Sequence, residues 1–224
     1  MNYIVGQVSF RIEIAGEELC LLPGRGVFWG RESLLMVADW HLGKAATFRA
    51  AGIGLPDGDL DEELVRLEEM LDQTGAEELV ILGDLAHARA GLSKSLVSHV
   101  ADWVGSAGIR AGLVAGNHDL AAGLGRTGFP GIEWLGDKVE RAPFVLQHVP
   151  GKDGAGYVFA GHLHPAVQLG EGKRGGLRAP CFWFGQHGAV LPAFGGFTGG
   201  KRIAASAGDR VFVVGGDEVI EMPV

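Results

Sequence analysis

The chain has 224 residues, a formal net charge of −8, two cysteines and eight histidines. Its 47% hydrophobic and 21% charged residues exclude general disorder, and a chain of this length buries a sizeable core without covalent crosslinks. The 19 basic residues against 27 acidic ones argue against a protein that coats nucleic-acid phosphates with Lys and Arg. Glycine is the outlier at 38 residues, which predicts an ordered chain with many tight turns.

Cysteine usage and hydropathy narrow the class of protein further. Cys20 and Cys181 make neither a disulfide framework nor a zinc ribbon. The first residues lack the basic segment and apolar run of a signal peptide, and no stretch is apolar for long enough to span a membrane. We expect a soluble, cytoplasmic protein with no membrane partner, folded as one domain over residues 1–224.

The first half of the sequence predicts strands interspersed with helices. Alternating or continuous apolar runs predict strands at residues 10–14, 19–22, 27–29, 34–38, 79–82 and 112–115. Amphipathic patterns predict helices at 59–73 and 93–106, with Ser93 as the cap of the second. A strand–helix–strand order of this kind is typical of an α/β domain.

The second half predicts short strands between glycine-rich turns. They lie at residues 144–146, 157–160, 181–184, 211–214 and 219–220. Two packed sheets with helices outside fit this order of elements best.

Polar residues of similar type follow five of these strands. They are Asp39 with His41, Asp84, Asn117 with His118 and Asp119, His148, and His162 with His164. Open α/β sheets bind ligands beyond the carboxyl ends of their strands, so we expect the five clusters to meet. Residues i and i+2 point the same way along a strand, so Asp39 and His41 aim at one point while Trp40 turns into the core.

Mixtures of carboxylate and imidazole suit Mn, Fe, Zn, Ni or Cu, and do not suit Ca. The candidate ligands are Asp39, His41, Asp84, Asn117, His148, His162 and His164. They are too many for one four-coordinate zinc ion and the right number for two metal ions that share a carboxylate.

In this order, the clusters resemble the motif set of the calcineurin-like metallophosphoesterases. Longer stretches are similar to the bacterial ligase-associated DNA-damage-response endonucleases (PdeM-type): ADWHLGK (38–44), LGDLAH (82–87), GHLHP (161–165), PCFW (180–183) and LPAFGGFTGG (191–200). The resemblance implies a four-layer αββα sandwich of two mixed β-sheets flanked by helices. It also implies two divalent metal ions, Mn²⁺ first and Fe, Zn or Ni as alternatives.

The resemblance also assigns roles to the candidate residues. Asp84 would bridge the two metal ions, the first held by Asp39, His41 and His164 and the second by Asn117, His148 and His162. A bridging water would attack phosphorus in line, while His118, oriented by Asp119, would give a proton or hydrogen bond to the leaving oxygen. Asn117 is also a candidate substrate contact.

Two further residues have competing interpretations. Arg49 is either a clamp for a substrate phosphate or part of a surface salt bridge. His87 lies either at the rim of the site or, alternatively, at the surface or the start of a helix.

The function that follows is hydrolysis of phosphodiesters by a DNA endonuclease or phosphodiesterase in repair, acting on single-stranded or damaged DNA. The family implies a DNA ligase or helicase as partner. The acidic charge balance keeps a phosphomonoester or a small nucleotide open as substrate. A non-catalytic scaffold would have lost ligands, and here all the motifs are present.

Overall fold

A computed structural model describes residues 8–50, 52–53, 60–170, 176–196 and 198–224, which fold as two mixed β-sheets with flanking helices. The predicted α/β class is confirmed. Among these residues, no helix is long and apolar enough to cross a membrane.

The first sheet has seven strands that are neighbours in chain order. They are β1 (Phe10–Ile14), β2 (Glu17–Leu21), β3 (Val27–Trp29), β4 (Leu34–Val37), β5 (Glu78–Ile81), β6 (Arg110–Val114) and β7 (Glu133–Gly136). Strands β1 to β4 pair antiparallel, and β4 to β7 pair parallel. The parallel part therefore brings the carboxyl ends of β4, β5 and β6 to one edge.

The second sheet is built from the second half of the chain. Its strands are β8 (Lys138–Arg141), β9 (Phe144–Gln147), β10 (Tyr157–Ala160), β11 (Pro165–Leu169), β12 (Leu177–Phe184), β13 (Gly188–Val190), β14 (Lys201–Arg202), β15 (Arg210–Gly215) and β16 (Glu218–Met222). The order is β14-β11-β12-β13-β10-β9-β8, and β15 pairs with both β12 and β16. The parallel neighbours β9 and β10 end at the same edge.

The described α-helices all lie before residue 128. They are α1 (Lys44–Ala50), α2 (Leu60–Thr74), α3 (Lys94–Ala107), α4 (Asn117–Ala122) and α5 (Leu124–Thr127). The two predicted helices correspond to α2 and α3, although residue 59 lies outside the described residues. Ser93 caps α3 as predicted, since its hydroxyl accepts a hydrogen bond from the Leu96 amide at 3.2 Å.

Alternation along β4 shows how the layers pack. Leu34 and Met36 join a buried cluster that includes Phe159 and Phe182 of the second sheet, so the two sheets stack face to face. Leu35 and Val37 point the other way and pack with residues of α2 and α3. A strand buried on both faces has to be apolar throughout, which is why the pattern was readable in the sequence.

Candidate metal centre

The candidate ligands follow strands that end at a common edge of the two sheets. The loops after β4 and β5 are joined by backbone hydrogen bonds, from the Asp39 amide to the Gly83 carbonyl (3.1 Å) and from the His41 amide to the Asp84 carbonyl (2.9 Å). The second sheet is tied in by the His148 ring, whose Nδ1 lies 2.9 Å from the Leu82 carbonyl. The predicted meeting of the clusters is therefore observed.

Backbone conformation at the centre is unusual. Five candidate ligands have positive φ: Asp39 (55°), His41 (55°), Asp84 (53°), His162 (70°) and His164 (47°). L-residues avoid this region because Cβ crowds the carbonyl oxygen, at about 1–2 kcal/mol per residue. Such conformations cluster at functional sites, where the surrounding structure holds them in place.

One group of candidate ligands is formed by Asp39, His41 and His164, whose ligand atoms lie within 4.8 Å of one another. His41 Nε2 and His164 Nε2 are 3.2 Å apart, and His164 Nε2 is 3.3 Å from Asp39 Oδ1. Asp39 is fully buried, and its carboxylate also accepts a hydrogen bond from the His162 amide at 2.8 Å. The Asp39 carboxylate, which follows β4, therefore holds the loop after β10 that carries His162 and His164.

A second group is formed by Asp84, His148 and His162. His148 Nε2 lies 3.4 Å from Asp84 Oδ2, 3.1 Å from His162 Nδ1 and 3.1 Å from Asn117 Oδ1. Asp84 Oδ2 is also 3.9 Å from His41 Nε2 of the first group. Asp84 therefore lies between the two groups, where a shared carboxylate would have to lie.

Tautomers at the centre leave nitrogen lone pairs facing inward. The Nδ1 atoms of His148 and His164 contact the carbonyls of Leu82 and Gly199, at 2.9 and 3.2 Å. A carbonyl only accepts, so each Nδ1 carries the proton, and Nε2 is then the acceptor of the neutral imidazole; in His148, Nε2 donates to Asp84 when the ring is protonated. Acceptor nitrogens and carboxylates this close together fit a divalent cation, and the two groups could hold two such ions.

Electrostatics support the same conclusion. Burial lowers the pKa of His41 to about 3, with Asp84 acting in the opposite direction, so its imidazole is neutral at pH 7. Burial, the largest single influence, raises the pKa of Asp84, but the contacts with His148, the His118 amide and His41 together outweigh burial, so the net pKa is lowered. Neutral imidazole and ionised carboxylate are the forms that bind metals.

His118 is oriented by a contact that the sequence did not reveal. Its Nδ1 lies 2.8 Å from the His87 carbonyl, which leaves Nε2 on the side of the centre. The Asp119 carboxylate, expected to orient His118, instead accepts hydrogen bonds from the amides of Ala86 (2.9 Å) and Gly116 (3.1 Å). Burial raises the pKa of Asp119 to about 6. Its contacts hold the loops after β5 and β6 together.

The side chain of His87 lies at the rim of the centre. It stacks on His118 with ring centroids 5.1 Å apart, and Phe48 stacks on its other side at 5.9 Å. His87 can also offer a ring nitrogen within 4.8 Å of ligand atoms of His41 and His118. Of the two interpretations of His87, the rim position describes this geometry.

A cavity of about 120 Å³ opens beside His41 and is lined by Lys44, Arg49 and Thr198. Arg49 is exposed and Lys44 is half-buried. Burial lowers the pKa of Lys44, with Asp39 acting in the opposite direction. The strand and motif patterns do not single out Lys44 as a cavity residue; its place at the end of the ADWHLGK stretch is the signal that could have found it.

Two further features near the centre cannot be predicted from the sequence, because each brings together segments that are distant along the chain. Glu63 of α2 is buried and accepts hydrogen bonds from Trp40 Nε1 and from the Gly196 amide, both at 2.7 Å. Trp40 lies between Asp39 and His41, so α2 braces the loop that carries both.

The second feature is a cleft next to His164, which is lined by Arg25 and Arg178.

Comparison with solved structures identifies relatives. The crystal structure of Pseudomonas putida nuclease MPE is similar to this chain at 35% sequence identity, with a TM-score of 0.78; the match covers 92% of this chain and 96% of that one. Yfce, a phosphoesterase from E. coli, is 16% identical over 82% of this chain and 88% of its own, with a TM-score of 0.41. No protein-family model and no curated protein matches the chain.

The similarity to the P. putida nuclease extends over nearly the whole of both chains. It agrees with the two mixed sheets and with the two groups of candidate ligands at their common edge. The chain therefore belongs to the calcineurin-like metallophosphoesterases, together with the P. putida nuclease, and is a metal-dependent phosphoesterase, a hydrolase of ester bonds.

Proposed function

We propose that this phosphoesterase hydrolyses phosphodiesters, acting as a nuclease on DNA strands in repair with Mn²⁺ as its metal. The observation that carries the proposal is the pair of facing groups, Asp39–His41–His164 and Asp84–His148–His162. The relative of known structure is a nuclease, which favours a phosphodiester over other phosphate esters.

The ligands are assigned from this geometry. Asp39, His41 and His164 would hold one ion, and Asn117, His148 and His162 the other, with Asp84 shared between them. When bound, the ions supply Lewis acidity toward phosphoryl oxygens and lower the pKa of a water. The protein fixes the ligands beforehand, through the left-handed backbone and the carbonyl-bound Nδ1 atoms.

His118 is proposed as the group that assists the leaving oxygen. The His87 carbonyl fixes its ring at Nδ1, so Nε2 is the atom that would hold or give a proton. Asp119 holds the loops after β5 and β6 together through the Ala86 and Gly116 amides, and its carboxylate is not used to orient the His118 ring. Positioning of this kind brings the donor to the leaving oxygen without further rearrangement.

Substrate contacts are proposed at the cavity beside His41. Lys44, and Arg49 beyond it, can pair with phosphate oxygens, and the stacked rings of Phe48 and His87 present an aromatic edge at the rim. A cationic lining next to the ligands favours an extended phosphodiester. A phosphomonoester remains the competing substrate, because the chain as a whole is acidic.

The test is turnover of bis(p-nitrophenyl) phosphate, p-nitrophenyl phosphate, and single-stranded and nicked DNA by Mn²⁺-loaded protein. We expect diester hydrolysis to exceed monoester hydrolysis. Asp84→Ala should lose bound metal, whereas His118→Ala should keep its metal and lose about 10²–10⁴-fold in rate. Metal content is measured by elemental analysis.

His187→Ala provides the matched control, because His187 is exposed in the turn before β13 and should change neither metal content nor rate. Absence of diester turnover by protein that demonstrably holds two metal ions would refute the proposal. A monoester preference would favour the competing substrate.

A further inference from the structure

The cleft beside His164 is lined by cationic side chains from both sheets. Arg25 comes from the turn between β2 and β3, Arg178 from β12, and Thr198 from the segment that follows β13. Its volume is about 200 Å³. It adjoins the cavity that holds Lys44 and Arg49, and the two share Gly196 and Thr198 in their linings.

Both guanidinium groups are held in place by backbone carbonyls. Arg25 Nη1 donates to the Ala193 carbonyl at 3.2 Å, and Arg178 Nη1 donates to the Gly200 carbonyl at 3.1 Å. Within the described part of the chain, neither forms an ion pair with a carboxylate. Each guanidinium carries five N–H donors, so most of them remain available for a ligand.

The cleft adjoins the metal centre through consecutive residues. The Gly199 carbonyl contacts His164 Nδ1 at 3.2 Å, and the next residue, Gly200, anchors Arg178. The Lys201 amide then donates to the His164 carbonyl at 2.8 Å. The segment that orients a candidate ligand therefore also orients Arg178.

Arg25 combines a left-handed backbone conformation with partial burial of its charged side chain. Its φ is 71°, the left-handed region that favours glycine, and glycine stands on either side of it. Burial lowers the pKa of its half-buried guanidinium, with Glu63 acting in the opposite direction. An anion in the cleft would compensate this desolvation, and planar guanidinium groups pair with phosphate through two parallel hydrogen bonds.

We propose that the cleft between Arg25 and Arg178 is a second phosphate subsite, which holds the phosphate next to the one being hydrolysed in a single polynucleotide strand. The inference rests on the proposed function, since a neighbouring phosphate exists only in a diester chain. It deepens that function, because a strand long enough to carry a second phosphate would be selected by the cleft rather than by the metal centre.

Kinetics with two kinds of substrate test the subsite. Bis(p-nitrophenyl) phosphate has one phosphate, whereas a ten-nucleotide single strand has several. We expect Arg178→Ala, and Arg25→Gln in the same direction, to raise KM for the strand about tenfold, since each removes a charged hydrogen-bond partner. Both variants should leave kcat/KM for bis(p-nitrophenyl) phosphate unchanged.

Arg11→Ala is the matched control. Arg11 is an exposed arginine of β1 that pairs only loosely, at 3.8 Å, with Glu18. Its removal should change the kinetic constants for neither substrate. Equal losses by Arg178→Ala on both substrates, or no loss on the strand, would overturn the subsite. Melting curves establish that the variants fold.

Binding provides a readout that does not need turnover. Metal-loaded protein is titrated into a fluorescein-labelled ten-nucleotide strand with phosphorothioate linkages, which keep the charge and resist cleavage. We expect Arg178→Ala to raise Kd about tenfold and to reduce the steepness of log K against log salt by about 0.7. For a dinucleoside monophosphate, with one phosphate, it should change nothing.

The two proposals fail separately. If metal-loaded wild type hydrolyses no diester, the proposed function fails, and the titration still decides whether the cleft binds a strand. If wild type hydrolyses bis(p-nitrophenyl) phosphate but Arg178→Ala binds the strand as tightly as wild type, the subsite is wrong and the proposed function stands.

Discussion

At the scale of single residues, the metal centre depends on side chains that are not candidate ligands themselves but hold the loops next to the ligands in place. The clearest is Glu63, whose two carboxylate oxygens each accept one hydrogen bond, from Trp40 Nε1 and from the Gly196 amide. Trp40 follows Asp39 directly, and Gly196 follows the residue whose amide contacts the Asp39 carbonyl. One buried carboxylate therefore braces two loops next to the metal centre.

We predict that Glu63→Gln lowers the free energy of unfolding by about 1–3 kcal/mol, because glutamine offers one acceptor oxygen to two buried donors and leaves the other unsatisfied. Occupancy of the site at Asp39 should fall with it. Denaturant titration measures the first effect and elemental analysis the second.

The control is Glu68→Gln on the same helix. Glu68 accepts one hydrogen bond, from Trp103 Nε1, also at 2.7 Å, and it is exposed. A single donor can be satisfied by the amide oxygen, so this variant should lose less than about 1 kcal/mol. Equal losses in the two variants would contradict the bracing role of Glu63.

At the scale of elements, close approach of the loops after neighbouring strands is what assembles the site. Gly116 precedes Asn117 at the end of β6, and a Cβ there would overlap the backbone nitrogen and Oδ1 of Asp84, after β5. Gly161, after β10, meets Asp39 Oδ2 in the same way, at 2.5 Å. The glycines before the ligands are therefore required by contact between loops.

Gly116→Ala should accordingly destabilise the protein by about 3 kcal/mol and remove bound metal, since the overlap is with backbone that cannot rotate away. Gly105→Ala is the opposite control. Gly105 lies inside α3 with open space around it, so alanine should stabilise by about 0.5–1 kcal/mol. Thermal unfolding separates the two, and a neutral Gly116→Ala would disprove the tight approach.

The elements that sequence could predict are those with strong local patterns. The buried strand β4, the amphipathic α2 and the polar residues after β4, β5 and β6 were readable, because periodicity and strand ends are local properties. The helix α1 was missed, since Lys44–Ala50 is too short to show a period. The partners of Arg25 and Arg178 are carbonyls of a distant segment, which no residue pattern encodes.

At the scale of the whole molecule, the metal ions are expected to contribute to folding. Asp39 and Asp84 are buried together with several histidines, and an ion that binds only the folded state stabilises it by about 2.7 kcal/mol at a hundred times its Kd. Two ions should thus add about 5 kcal/mol, or roughly 10–20 °C in Tm.

Chelation should remove this stabilisation, and Mn²⁺ should restore it. In Asp84→Ala the difference between chelated and metal-loaded protein should disappear, whereas Asp102→Ala, an exposed position on α3, should keep it. Differential scanning calorimetry makes the measurement. A Tm that does not respond to chelation in wild type would mean that the ions do not bind at the buried carboxylates.

The net charge of −8 leads to a prediction about how strongly binding of a DNA strand depends on salt. Two divalent ions would add +4, and among the described residues the cations next to the centre are few: Lys44 and Arg49 in one cavity, Arg25 and Arg178 in the other. An acidic protein with about four phosphate contacts should bind a single strand with a shallow salt dependence, a slope near −3 for log K against log salt. Fluorescence anisotropy between about 50 and 200 mM salt measures it. A slope steeper than about −5 would require an extended basic surface, and the grip on the strand would then lie away from the metal centre and its two cavities.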